Sequence, residues 1–270
     1  MKKIFVLVFL VIAIVGCSSD DTIRTPPVIV FQGNLVIRTQ AEVNAIGAQG
    51  YNVINGSLHI GDVASDTTPA EPSDITDLSP LSTITSITRQ LEIQSNPELT
   101  SLNGFSNLAV VSGLVINDNE TLTSLDGLTS LSRIDGNTIL TAQTFLSGGL
   151  ISLSNNPALT SISGLSSINP QVIFQISIDK TGLTTLDGLE NINSITRLNI
   201  TSNNSLISLE ALEGLENIRN TVFIFNNDML VNYCTLQTPL QNNQELSIYN
   251  VSDNQFNPTQ QNIIDGNCSQ

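Results

Sequence analysis

Hydrophobic positions along this chain follow two alternating rhythms. Leu91-Glu92-Ile93 alternates apolar and polar residues, the period of a strand buried on one face. Asn96 follows, and then Leu99, Leu102, Phe105, Leu108 and Val111 recur at every third position. A 3.6-residue helix would smear such a stripe around its surface, so the spacing predicts short extended or 3₁₀ segments. The same phrase returns as Leu114-Val115-Ile116 with Asn119, Ile151-Ser152-Leu153 with Asn156, Leu198-Asn199-Ile200 with Asn203, and Val222-Phe223-Ile224 with Asn227. Degenerate copies start at Leu58, Ile176 and Leu246, with Val63, Thr181 and Val251 at the Asn position. Start-to-start spacings are 33, 23, 37, 25, 22, 24 and 24 residues, a base period of 23 to 25 with two insertions. One repeat cannot hide its apolar side chains alone and must stack on its neighbours. The pattern predicts a mainly β protein, a single parallel β-solenoid over residues 33–256 with loops at 62–74 and 137–149.

Two polar columns accompany the stripe. Asn96, Asn119, Asn156, Asn203 and Asn227 recur at one corner, where a carboxamide can bridge backbone groups of its own and the adjacent coil. Gly104, Gly127, Gly164 and Gly188 mark a second corner, where positive φ or close backbone approach is expected. Ala211 stands in that column in the Leu198 copy, which predicts a negative φ there. Both columns read as structural.

Outward positions of the strands carry the candidate site. In the predicted register one outward column is His59, Glu92, Val115, Ser152, Ser177, Asn199, Phe223 and Ser247. Two residues on, the other ends in Asp179, Thr201, Phe225 and Tyr249. Most of this face is small and polar, but Phe223, Phe225 and Tyr249 gather at its C-terminal end beside Asn199 and Thr201. Exposed aromatics amid Asn and Thr suit contact with a protein or a carbohydrate. The alternative is that the C-terminal segment folds over the aromatics and hides them as core.

The amino terminus reads as an address. Met1-Lys2-Lys3 precedes an apolar run from Ile4 to Val15, too short to span a bilayer comfortably but suited to the h-region of a secretory signal. Ile14-Val15-Gly16-Cys17 resembles a bacterial lipobox, which implies cleavage after residue 16 and lipidation of Cys17. The following Ser18-Ser19-Asp20-Asp21 resembles the export signal that sends Bacteroidetes lipoproteins to the outer face of the outer membrane. A solvated acidic linker and a periplasmic location are the alternatives. Residues 17–32 form the expected tether, kept extended by Pro26-Pro27.

Composition narrows the function. The chain of 270 residues has 9 Lys and Arg against 24 Asp and Glu, a net charge of −15, which excludes a footprint for nucleic acid. His59 is the only imidazole, so any His-dependent catalytic group must include it, and a solvated surface side chain is the expected role. Asp62, Asp66, Glu71, Asp74 and Asp77 cluster at the first loop, but their spacing fits no EF-hand and a solvated loop is expected. No catalytic residue, metal or cofactor is expected. With Cys17 assigned to lipid, Cys234 and Cys268 are left in an oxidising compartment and are expected to form a disulfide that staples the C-terminal end, a cap segment over residues 257–270. Asp66-Thr67-Thr68 resembles a Bacteroidetes O-glycosylation motif.

The segments Leu91-Glu92-Ile93-Gln94-Ser95-Asn96-Pro97-Glu98-Leu99-Thr100-Ser101-Leu102-Asn103-Gly104-Phe105 and Leu122-Thr123-Ser124-Leu125-Asp126-Gly127-Leu128 resemble the receptor L-domain family, as does Ile54-Asn55-Gly56-Ser57-Leu58-His59-Ile60 at the first coil. The resemblance implies a leucine-rich-repeat-like right-handed β-helix of the kind that forms ligand-binding lobes in growth-factor receptors. The expected protein is a surface lipoprotein acting as a non-catalytic binding or adhesion module. Its partners would be the membrane, through the lipid, and an extracellular protein or carbohydrate. A glycan-acting enzyme and a structural or ice-binding envelope protein are the rival classes.

Overall fold

The alternation at Leu91–Ile93 becomes the strand Gln90–Gln94, with Leu91 and Ile93 fully buried and the polar residues between them half-buried. The three-residue stripe that follows also turns inward. Leu99, Leu102, Phe105, Leu108 and Val111 are all fully buried, and a single 3₁₀ turn, Asn103–Phe105, sits in their midst. Val110–Val111 then forms a second short strand before Gly113–Asn117 opens the next unit. In the computed structural model, residues 27–62, 72–136, 138–139, 145–146, 149–169 and 171–270 are described.

Among them, strands assemble into two parallel sheets. The larger has nine strands whose spatial order follows the sequence, from Leu35–Ile37 at one edge to Ile248–Ser252 at the other. The smaller has five strands, Val30–Gln32, Val53–Asn55, Ser86–Ile87, Val110–Val111 and Arg133–Ile134. In the C-terminal half the two segments of a unit merge into the long strands Gln171–Thr181, Ile192–Thr201 and Asn217–Phe225, with register shifts where they bend. The core lies between the sheets and the 3₁₀ turns, and successive turns contact one another.

The asparagine column is a continuous hydrogen-bonded structure. Asn119 donates from Nδ2 to the Ile93 carbonyl of the preceding unit and to its own Asn117 carbonyl, at 3.0 and 2.9 Å. Its backbone N–H donates to Oδ1 of Asn156 at 3.0 Å, and the same relation links Asn203 to Asn227 at 2.9 Å. The residue before each ladder position is left-handed: Ser95, Asp118, Asn155, Lys180, Ser202, Asn226 and Asp253 have φ between 51° and 58°. That conformation is costly for a residue with a Cβ, and the buried carboxamides offset it by satisfying the corner's backbone groups. Ser73 and Thr181 fill the ladder where Asn is missing, their hydroxyls donating to Oδ1 of Asn96 and Asn203 at 2.6 and 2.7 Å.

Three features differ from the sequence expectation. A unit precedes Leu58: Leu35–Ile37 pairs with Leu58–Gly61, and the helix Gln40–Gly47 follows it, N-capped by Thr39 and burying Val43. The strand Val30–Gln32 pairs with Val53–Asn55, so residues expected in the tether belong to the sheet. The last unit is shifted by three residues. Tyr249 and Val251 occupy the inward positions beside Val222 and Ile224, and Asn254 rather than Val251 takes the ladder corner. Leu246-Ser247-Ile248 and Tyr249-Asn250-Val251 both alternate, and the buried carboxamide acceptor at Asn254 selects the second.

The glycine column has a different cause from positive φ. Gly104, Gly127 and Gly164 are not left-handed, but a Cβ on any of them would overlap the backbone carbonyl of the stacked 3₁₀ turn below, at Leu78, Leu102 or Leu125. Gly188 alone in that column is left-handed, at φ 117°.

The inserted segment after Arg133–Ile134 carries an antiparallel pair, Thr138–Ile139 with Phe145–Leu146. Cys17, Asp66-Thr67-Thr68 and the whole signal and lipobox segment lie outside the described residues. Among the described residues no helix is long and apolar enough to cross a membrane.

Candidate functional site

The outward face of the nine-stranded sheet is built by in-register pairing, so its rows follow directly from the strands. One row runs His59, Glu92, Val115, Ser152, Ser177, Asn199, Phe223 and Asn250. The next runs Gly61, Gln94, Asn117, Ser154, Asp179, Thr201, Phe225 and Ser252. Asn250 and Ser252 replace the expected Ser247 and Tyr249 at the C-terminal end, because of the three-residue shift.

Phe223 and Phe225 stand on this face, Phe223 half-buried and Phe225 36% exposed. Their ring centroids are 6.2 Å apart with planes tilted by 32°. The C-terminal segment therefore does not hide them as core. Asn199 and Thr201 flank them on the adjacent strand, and the Thr201 hydroxyl donates to Asp179 at 2.6 Å. Ser154 donates to the other oxygen of the same carboxylate at 3.2 Å, and Lys180 lies 3.9 Å away.

Tyr249 does not join this group. Its ring packs against the core on the inward side, and its hydroxyl donates to the Pro258 carbonyl at 2.8 Å. Tyr233 behaves alike, fully buried with its hydroxyl on the Phe256 carbonyl at 2.8 Å. Burial pushes both phenols well above the usual tyrosine range, and the neighbouring Tyr249 adds to the effect at Tyr233. Both anchor the C-terminal cap, which the helices Gln237–Asn242 and Gln260–Ile264 build and the Cys234–Cys268 disulfide closes.

His59 is not a solvated surface residue. It is 6% exposed, and Nδ1 lies 3.0 Å from the Glu92 carboxylate on the next strand, while Nε2 has no hydrogen-bond partner among the described residues. Strand stacking places Val36 and Glu92 on either side of it, which removes the solvent an isolated outward position would have.

The described acidic residues of the first loop have local tasks. Asp62 pairs with Arg38 at 3.2 Å, Asp74 accepts from the Gln40 backbone at 2.8 Å, and Asp77 accepts from Ser79. Asp66 and Glu71 lie outside the described residues. Among the described residues no three metal-ligating side chains cluster.

The strand rows and stacked turns define a mainly β protein of two parallel sheets that presents a broad polar face with an aromatic end. Residues 51–164 match the model of the receptor L domain family, a stretch that contains Leu91–Phe105 and Leu122–Leu128, the segments that carry the resemblance. No curated protein and no solved structure matches the chain.

Sequence reasoning missed Asn254, Asn250 and Ser252. The signal was present, since Asp253-Asn254 repeats the polar pair that precedes each ladder corner and follows Tyr249 at the same five-residue distance as Asn227 follows Val222.

Proposed function

We propose that this chain is a lipid-anchored, non-catalytic binding module. Its body is a right-handed parallel β-solenoid that offers the outward strand face to an extracellular protein or glycan. The observation that carries this reading is the pair Phe223 and Phe225, left on a mostly small and polar face of a chain whose residues 51–164 match the receptor L domain family. A His-dependent active site finds little support here, because the single imidazole is 6% exposed and held against Glu92.

The address follows from Met1 to Asp21: a signal sequence, lipidation at Cys17 and an acidic stretch directing the protein to the outer face of the outer membrane. Two or more acyl chains make such anchoring stable. With Lys2 and Lys3 removed in the signal, the body carries 7 basic against 24 acidic residues, a net charge of −17, which holds it clear of an anionic surface. Protease added to intact cells is expected to remove the body, and Cys17→Ser is expected to release the protein from the membrane fraction. Protection until the cells are broken would place the body in the periplasm and overturn the surface reading.

A further inference from the structure

The aromatic end of the face has an ordered polar frame. Asn199 and Asn250 are the register partners of Phe223 on its two neighbouring strands, and Thr201 and Ser252 are those of Phe225. The array reads carboxamide, ring, carboxamide in one row and hydroxyl, ring, hydroxyl in the next. Neighbouring strands lie about 4.8 Å apart, so the four polar groups are within reach of one small molecule resting on the two rings. The other ring pairs, Phe31–Tyr51 and Tyr233–Phe256, meet edge-on at 86° and 69°, as packed aromatics do. Phe223 and Phe225, tilted by only 32°, form one shared apolar surface instead. The Asn199 side chain makes no hydrogen bond among the described residues.

We propose that this array is a carbohydrate site for a neutral glycan. The apolar face of a pyranose rests on Phe223 and Phe225, and its hydroxyls exchange hydrogen bonds with Asn199, Thr201 and Asn250. Sugar hydroxyls both donate and accept, as carboxamides and side-chain hydroxyls do. The carboxylate beside the array, Asp179, accepts from Thr201 and Ser154 and has Lys180 3.9 Å away, so its oxygens are already engaged, and the Arg197 guanidinium two residues before Asn199 lies over the Phe174 ring at 5.2 Å. A protein partner of ordinary size would need about 800 Å² with an apolar centre. Toward the N-terminal strands this face turns to Ser177, Ser154 and Ser152, and Ile248 is the exposed apolar residue of the last strand, an apolar area that fits a small ligand better than a protein interface of that size.

The assignment rests on the outward face being the binding surface, and the test separates the two claims. The mature chain, in detergent, is titrated with neutral glucan, mannan and galactan oligosaccharides by saturation-transfer NMR and calorimetry. Purified extracellular-matrix proteins are run in parallel. At least one neutral series is expected to bind. Phe223→Ala with Phe225→Ala should weaken it about tenfold or more, a loss of about 1.4 kcal/mol, and Asn199→Ala should weaken it about threefold. Far-UV circular dichroism checks that each variant folds. No sugar binding, or ring variants that bind as the parent does, overturns the glycan assignment. A chain that binds a matrix protein but no sugar loses that assignment and keeps the module reading; one that binds neither loses both.

Discussion

The backbone N–H of Asn227 donates to Oδ1 of Asn254 at 3.0 Å, and this contact sets the register of the last repeat. Asn254 in turn donates from Nδ2 to the Ile224 carbonyl at 3.0 Å, so one carboxamide satisfies a donor and an acceptor of the preceding unit. Replacing it with Ala leaves both buried groups unpaired, at about 1–3 kcal/mol each. Asn254→Ala is therefore expected to lower stability by about 3 kcal/mol in urea denaturation. The exposed Asn204→Ala should stay within about 0.5 kcal/mol. Equal effects from the two variants would dismiss the ladder as a source of stability.

The cap is held by a crosslink between Cys234 and Cys268, 34 residues apart. The chain-entropy model assigns a loop of that length about 4 kcal/mol. Cys234→Ser with Cys268→Ser should lose up to that amount, and amide exchange should rise first in the helix Gln260–Ile264. Uniform acceleration across all repeats would show that the cap does not open by itself.

Alkali should loosen the same end. Tyr233 and Tyr249 resist ionisation when folded because burial excludes the phenolate, whereas in the unfolded chain they ionise near pH 10. Their contribution is thus complete below about pH 10 and declines as pH rises above it, because the unfolded state gives up protons first. Tyr249→Phe should flatten this decline, at the cost of about 1 kcal/mol near neutrality from the lost bond to Pro258. Denaturant midpoints measured from pH 8 to 11 test it, and an unchanged slope in the variant would remove Tyr249 as the cause.

Close stacking of the 3₁₀ turns makes Gly127 irreplaceable in a way Ala211 is not. A methyl on Gly127 would overlap the Leu102 carbonyl, which is backbone and cannot swing aside. Gly127→Ala is expected to cost about 2 kcal/mol or more. Ala211→Gly should cost only about 1 kcal/mol, from chain entropy. Thermal denaturation of the two variants decides, and a reversed order would contradict the stacking argument.

Inward positions were legible because each must be apolar in every unit. Leu99, Leu102, Phe105, Leu108 and Val111 could be placed from spacing alone, and all five are fully buried. Phe223 and Phe225 were legible as outward for the same reason, their neighbours Val222 and Ile224 being needed inside. Tyr249 was misplaced because an aromatic with a hydroxyl can face either way, and the Pro258 carbonyl that receives its proton lies in the cap rather than in the repeat. The first unit escaped notice because the helix Gln40–Gly47 follows its strand in place of the three-residue stripe.

By itself the sequence determined the repeat, its inward stripe and the asparagine corner, because these are periodic demands that most copies meet with the same residue types. Tertiary structure alone decided what happens once per molecule. It chose which of two alternating tripeptides closes the last coil, buried His59 against a carboxylate 33 positions away, and joined two segments per unit into long strands in the C-terminal half. Those outcomes depend on contacts between chemically unlike residues far apart in the chain, which leave no periodic trace.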